Sequence, residues 1–198
     1  SARAIGLASA AGLTEAVVSR RPRIGIVSTG DELVYPGTIP GPGQIISSNA
    51  SFLKGFVAAC GAEAVDLGIA RDRPGAMISA VRNAENLDLV VTTGGASVGV
   101  HDHIVSDLDD NAGSGLNFWK IAMRPGKPLV SGSVDGIPLI GLPGNPVSTA
   151  ICALVFLRPA IAHMARDSRT DPGSIDPTFK VPLGADLDPN DHRQDYVR

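Results

Sequence analysis

The sequence predicts an α/β domain, a three-layer α/β/α sandwich around a mostly parallel sheet. Three observations carry this expectation. Short runs rich in Ile, Val and Leu recur at 23–28, 65–69, 87–92 and 137–141, most of them without polar alternation, as strands covered on both faces require. Segments of helical length and pattern separate these runs. Glycine, serine, threonine and aspartate gather where the strands stop, the edge at which an open parallel sheet offers backbone N–H groups to a ligand.

Taken in order, residues 1–20 form a lead-in segment, and 23–28 is the first buried strand. A helix follows at 51–60, with Asn49 placed to cap it and Gly61 to end it. The strand 65–69 leads to a helix at 74–86 that opens on Pro74, whose missing N–H would have had no helical partner. A third strand spans 87–92, residues 103–110 are helical, 118–123 are extended, and the strand 137–141 feeds a long apolar helix at 147–164. Together 21–166 make one domain. Composition then turns to Asp, Pro, Ser and Thr, so 167–177 reads as a linker, and the alternation from Thr178 to Leu183 with Tyr196-Val197 reads as the start of a truncated β domain over 178–198. No internal repeat is evident.

Composition narrows the function classes. With 17 basic against 20 acidic side chains, no broad basic surface is available to grip a nucleic-acid backbone. The two cysteines, Cys60 and Cys152, each lie in an apolar run and read as buried free thiols, which points to a reducing cytoplasm. No apolar run reaches the roughly 20 residues of a membrane-spanning helix, the longest lying near 151–157, and the start lacks the pattern of a signal peptide. The chain opens in mid-pattern without Met, as a fragment or processed product would.

Four strand-end loops are candidate chemistry. In Ser28-Thr29-Gly30-Asp31-Glu32-Leu33, glycine permits a tight turn, hydroxyls can bond phosphate, and Asp31 and Glu32 can hold a divalent cation, although a plain polar turn has the same look. In TTGGASVG at 92–99, Gly94 and Gly95 let a ligand lie against main chain and Ser97 adds a donor; the following Asp102 either binds metal or caps the next helix, while His101 and His103 read as solvated or capping. In the stretch 118–128, an extended backbone sets Lys120 and Arg124 on one face and the Pro125-Gly126 turn brings Lys127 near, forming either an anion grip or a solvated charge cluster, with Trp119 as a packing residue. In GLPGNPVS at 141–148, Gly144 supplies freedom and the N–H groups over Pro146 to Ser148 can face a phosphate.

The order and identity of these loops resemble the molybdopterin molybdenumtransferase family, which includes MoeA and the gephyrin E domain. The matching stretches are STGDEL at 28–33, GQIISSN at 43–49, LGIARDRP at 67–74, TTGGASVG with Asp102, FWKIAMRPGKPL at 118–129 and GLPGNPVS at 141–148. That resemblance implies a MogA-like fold and a reaction in which molybdate enters adenylylated molybdopterin and AMP leaves, with Mg²⁺ assisting. It implies metal ligands among Asp31, Glu32 and Asp102, with Asp72 in the same cleft. Lys120, Arg124 and Lys127 would neutralise phosphate or molybdate. Ser28, Thr29, Gly30, Asn49, Gly94, Gly95, Ser97, Gly144, Asn145, Pro146 and Ser148 would seat the nucleotide part. Some relatives carry Lys where this chain has Arg124. A homodimer and contact with molybdopterin adenylyltransferase are further implications. Two rival readings share the fold: molybdopterin adenylyltransferase, against which WKIAMRPGKP with STGDEL speaks, and a non-catalytic scaffold of the gephyrin kind.

Overall fold

The computed structural model describes residues 2–94, 103–110, 112–166, 182, 184, 186 and 190–196. Its elements are α1 (Ala2–Ala10), β1 (Arg23–Thr29), β2 (Leu33–Val34), β3 (Ile45–Ile46), α2 (Ser48–Ala59), β4 (Glu63–Ala70), α3 (Ala76–Arg82), β5 (Leu89–Thr93) and α4 (His103–Asp110). There follow β6 (Ser114–Trp119), β7 (Met123–Arg124), β8 (Val130–Val134), β9 (Ile137–Leu142), α5 (Pro146–Cys152), a π-helical turn (Ala153–Leu157), α6 (Arg158–Met164) and β10 (Gln194–Asp195).

Six strands form the central sheet in the order β4-β1-β5-β9-β8-β6. β4, β1, β5 and β9 are mutually parallel neighbours, whereas β8 runs antiparallel to both β9 and β6. Two reversals restore the direction, so β6 points the same way as β9 and its end lies on the same edge of the sheet. The two faces separate by alternation along each strand. Ile24 and Ile26 of β1, Leu89 and Val91 of β5, and Leu142 of β9 pack with Leu53 and Val57 of α2, Cys152 of α5, Leu157 of the π-helical turn and Ile161 of α6. Val27, Val90 and Leu139 face the other way and meet Met77, Ile78, Val81, Ile104 and Leu108 of α3 and α4. The expected sandwich is what the chain builds.

Several local expectations differ in detail. Helix α2 begins at Ser48, ahead of the predicted start, and Asn49 lies inside it without capping it. Helix α3 is shorter than 74–86: Gly75 stands before it at φ +75° and Asn86 after it at φ +56°, both left-handed positions that a continuous helix cannot contain. The strand β8 escaped the sequence reading, because Val130-Ser-Gly-Ser-Val134 lacks the apolar continuity of its neighbours. Antiparallel strands buried at alternate positions need no such continuity, and the burial of β8 does alternate. Residues 2–10 of the lead-in form a helix with no buried side chain. The segment from Thr178 to Leu183 lies largely outside the described residues, as does the linker 167–177.

The long helix also differs from expectation. Pro146–Met164 is 19 residues long and apolar enough, by length and composition, to cross a membrane. Its inner face nevertheless belongs to this domain: Cys152, Ala153, Leu157 and Ile161 are fully buried in the core. Arg158, Pro159 and His163 also interrupt the apolar pattern, as suits a core helix with one solvated side.

Candidate functional site

Strands β1, β5 and β9 stop in register, with Ser28 opposite Thr93 and Thr93 opposite Leu142, so three loops leave the sheet side by side. Between them opens a crevice of about 270 Å³. Ser28, Thr29 and Glu32 come from the first loop, Thr93 and Gly94 from the second, and Gly144 and Pro146 from the third. The remaining wall is Leu33, Ile45, Ile46, Ser47, Ser48 and Asn49, where the short parallel pair β2 and β3 leads into α2.

Close backbone approach is what makes the crevice possible. Gly94 adopts φ +94°, and a Cβ there would collide with the carbonyl oxygen of Thr29 and lie 3.1 Å from its Oγ1. A Cβ on Gly144 would lie 3.4 Å from the Gly94 Cα, so the two glycine loops touch. Asn49 ties them to α2: its Nδ2 donates to Thr93 Oγ1 at 2.9 Å and to the Gly144 carbonyl at 2.7 Å. Ser28 and Ser47 share a hydrogen bond between hydroxyls at 3.0 Å in the buried floor. Thr29 Oγ1 is buried and has no hydrogen-bond partner among the described residues. A buried hydroxyl left unpaired at a crevice wall is a donor and acceptor available to a ligand.

The acidic candidates separate into two arrangements. Glu32 lines the crevice. Asp31 and Asp72 instead clasp one another's loops: each carboxylate accepts the other's backbone N–H at 3.2 Å, and Arg71 Nη1 donates to the Asp31 carbonyl at 2.9 Å. Among the described residues no three His, Cys, Asp or Glu side chains cluster as a metal site. Asp102, Gly95, Ser97 and His101 lie outside the described residues.

Two expectations about the basic and helix-entrance loops are corrected by the geometry. The first turn of α5 was expected to present free N–H groups. Asn145 is its cap, and its side chain accepts from Val147 N at 3.0 Å and Ser148 N at 3.2 Å, while Pro146 has no N–H, so these donors are already taken. The second concerns the cations. Lys120 has φ +68°, and residues 120–122 belong to no strand, so the extended run that would set Lys120 and Arg124 on one face is broken. Arg124 is engaged by Asp195, with Nε to Oδ1 at 3.0 Å and Nη2 to Oδ2 at 2.5 Å, and that carboxylate raises its already high pKa. Lys120 Nζ rests 3.5 Å from the centroid of the Trp119 ring, and Lys127 is exposed. None of the three lines the crevice.

They do share its edge. One row of paired residues crosses the sheet from Trp119 through Val130, Gly141 and Thr92 to Val27. At about 4.8 Å per strand, Trp119 lies roughly 10 Å from Gly141, just beyond which the Gly144 turn begins. Several lining residues were missed by sequence reasoning. Ile45 and Ile46 belong to a two-residue strand, too short for any periodicity, and Ser47, Ser48 and Thr93 lie within the matching stretches without a chemistry that singles them out.

Residues 25–163 match the family described as "Probable molybdopterin binding domain". The chain is 41% identical over 165 residues to molybdopterin molybdenumtransferase 2 of Mycobacterium tuberculosis (strain CDC 1551 / Oshkosh), a match covering 79% of this chain and 40% of that protein. It resembles the crystal structure of the molybdopterin biosynthesis MoeA protein of Pyrococcus horikoshii with a TM-score of 0.70 at 32% identity, covering 84% of this chain and 41% of that one. The molybdopterin biosynthesis enzyme MoaB of Thermus thermophilus shares the fold at 17% identity and a TM-score of 0.52, covering 73% of this chain and 97% of that one. The chain spans about two fifths of the length of the curated relatives it matches. With its strand-end crevice, glycine loops and matched residues all in one α/β core, the chain belongs to the probable molybdopterin binding domain family, in the part that MoeA-type molybdenumtransferases share.

Proposed function

We propose that this chain is the nucleotide- and pterin-binding core of a molybdopterin molybdenumtransferase, which inserts molybdate into adenylylated molybdopterin and releases AMP during molybdenum cofactor biosynthesis. The observation that carries the reading is the strand-end crevice, walled by hydroxyls, the Asn49 region, two touching glycine loops and Glu32, in a chain of this family. Its volume of about 270 Å³ lies just below the usual range for a whole small-molecule pocket, roughly 300–1,000 Å³. One end of an elongated ligand fits it. Among the described residues neither Lys nor Arg lines it, so an uncharged ring is the better occupant and the phosphates extend along the sheet edge toward Lys120 and Lys127.

Chemistry at such a ligand builds negative charge on phosphate oxygens as the adenylate leaves. Fixed donors and cations stabilise that charge because they need not reorganise when it forms. Thr29 Oγ1 is an unpaired donor for the ligand, Gly94 and Gly144 admit it against main chain, and Lys120 supplies a compact positive charge. Among the described residues Glu32 is the one carboxylate that lines the crevice, and Mg²⁺ is compatible with it because this ion can be held by one or two carboxylates with substrate phosphates completing its shell. Glu32, with Asp102, would hold it, and when bound it would neutralise phosphate charge. Asp31 and Asp72 would support the loop that carries Glu32. A homodimer of the whole protein, contact with molybdopterin adenylyltransferase and a cytoplasmic location complete the proposal.

Calorimetric titration with AMP and with adenylylated molybdopterin, with and without Mg²⁺, tests the binding, and an AMP-release assay on the full-length protein tests turnover. Replacing Glu32 by Gln is expected to slow AMP release by about 10²–10³-fold, the usual cost of one lost charge-stabilising contact. A full-length protein that binds neither ligand, or a Glu32→Gln variant with native turnover, would refute this assignment.

A further inference from the structure

We infer that Trp119 is a positioning residue, holding the Lys120 ammonium over its indole face so that Lys120 meets an oxyanion of the ligand already oriented. The inference rests on the preceding reading, in which Lys120 receives an anionic part of the substrate.

Lys120 adopts a left-handed backbone conformation, φ +68°, that a side chain with a Cβ enters only when its surroundings hold it there. Here the surroundings are visible: its N–H donates to the Leu129 carbonyl at 3.0 Å, and the next N–H, of Ile121, donates to the Lys127 carbonyl at 2.9 Å. The result places Nζ 3.5 Å from the centre of the Trp119 ring, well inside the reach of a cation–π contact. Among the described residues no carboxylate pairs with Lys120, in contrast to Arg124, whose guanidinium is occupied by Asp195.

The indole is not held by its polar end. Trp119 Nε1 is buried without a hydrogen-bond partner among the described residues, and the ring packs against the core that includes Ile104, Leu108 and Val130. Tryptophan usually finds a partner for that N–H when buried. A ring that tolerates this loss while offering its face to an exposed ammonium acts as a platform. An ammonium resting on a ring keeps its outward N–H donors for an anion, and a lysine already held loses less rotamer freedom when the anion arrives. Trp119 ends β6 on the row that runs through Gly141 to the crevice, so the ammonium stands on the edge along which an elongated ligand would lie.

The test combines fluorescence with a double-mutant cycle, using AMP as the probe. Trp119 is the only tryptophan of the chain, so its emission is assignable. Lys120→Met is expected to shift that emission, Lys120→Arg to keep it, and saturating AMP to change it in the native protein. Trp119→Leu is expected to weaken AMP binding about 2- to 5-fold, the size of an exposed cation–π contact, and Trp119→Phe to restore most of it. In a Lys120→Met background Trp119→Leu should cost nothing further. An equal loss in both backgrounds, or an emission indifferent to Lys120→Met, overturns the inference while AMP binding itself stands. If Trp119→Leu does not fold, Trp119→Phe by its AMP affinity and the Lys120 variants by their emission still decide the matter. Failure of the native protein to bind AMP removes the functional reading and this inference with it.

Discussion

Asn49 is the residue whose replacement should do most to the crevice for the fewest atoms changed. Its Nδ2 donates to Thr93 Oγ1 at 2.9 Å and to the Gly144 carbonyl at 2.7 Å, joining α2 to the loops after β5 and β9. The carbonyl accepts only, so the nitrogen assignment is forced by chemistry. Asn49→Ala removes two neutral hydrogen bonds of about 0.5–1.5 kcal/mol each, for a loss of about 1–3 kcal/mol. In a chain of this size that lowers the melting temperature by about 2–4 °C per kcal/mol. Asn49→Asp is more informative. It sets a carboxylate oxygen where an N–H had faced the Gly144 carbonyl, so at neutral pH two acceptors meet and the loss should exceed that of Asn49→Ala. The repulsion disfavours the charged form and raises the folded-state pKa of the introduced acid above its unfolded value of about 3.9. The folded state then binds protons at higher pH than the unfolded one, so the added penalty is present above the raised pKa and fades as pH falls through it. Below that point the protonated acid can again donate to the carbonyl. Urea unfolding of the native protein and both variants at neutral and mildly acidic pH reads this directly, with AMP titration alongside. An Asn49→Ala variant within about 0.5 kcal/mol of native stability, or an Asn49→Asp variant with no extra loss at neutral pH, would refute the reasoning.

Two further outcomes follow from the same structure. Gly94→Ala forces a Cβ onto the Thr29 carbonyl at a left-handed φ of +94°, so it should destabilise by about 2 kcal/mol or more and weaken AMP binding at least as strongly as Asn49→Ala; unchanged denaturation midpoints and AMP affinity would show that the two loops do not meet. Burial pushes the Cys152 thiol up to about 11 and raises Cys60 as well, and Cys60 is only half-buried. At pH 8 an aromatic disulfide reagent should therefore label Cys60 first, and Cys152 only at the rate at which the core opens; equal labelling rates would contradict the packing of Cys152 against the sheet.

Much of the fold was legible because it follows from local pattern. The runs at 23–28, 65–69, 87–92 and 137–141 became β1, β4, β5 and β9, and the helix at 103–110 stands where its pattern placed it. β8 was not legible: its Ser-Gly-Ser centre belongs to an antiparallel strand whose neighbours in space are β9 and β6. Asn49 reads as a helix cap by residue type, and only the approach of two distant loops reveals it as their tie. Asn145 presents the converse, a residue read as part of a ligand seat that the structure makes the cap of α5.

From composition and order alone came the class of fold, the four strand-end loops and the resemblance to one family, because hydrophobic period and residue identity are properties of the chain itself. Tertiary structure decided which of those loops share a crevice, that Arg124 faces Asp195 while Lys120 lies on Trp119, and which N–H groups of the α5 entrance are already taken. Those outcomes depend on pairing between residues up to 95 positions apart, as Asn49 and Gly144 are, and on backbone angles such as the left-handed φ of Lys120. Sequence pattern encodes the period of an element, whereas the partner of a hydrogen bond is fixed only when the sheet has set its strands side by side.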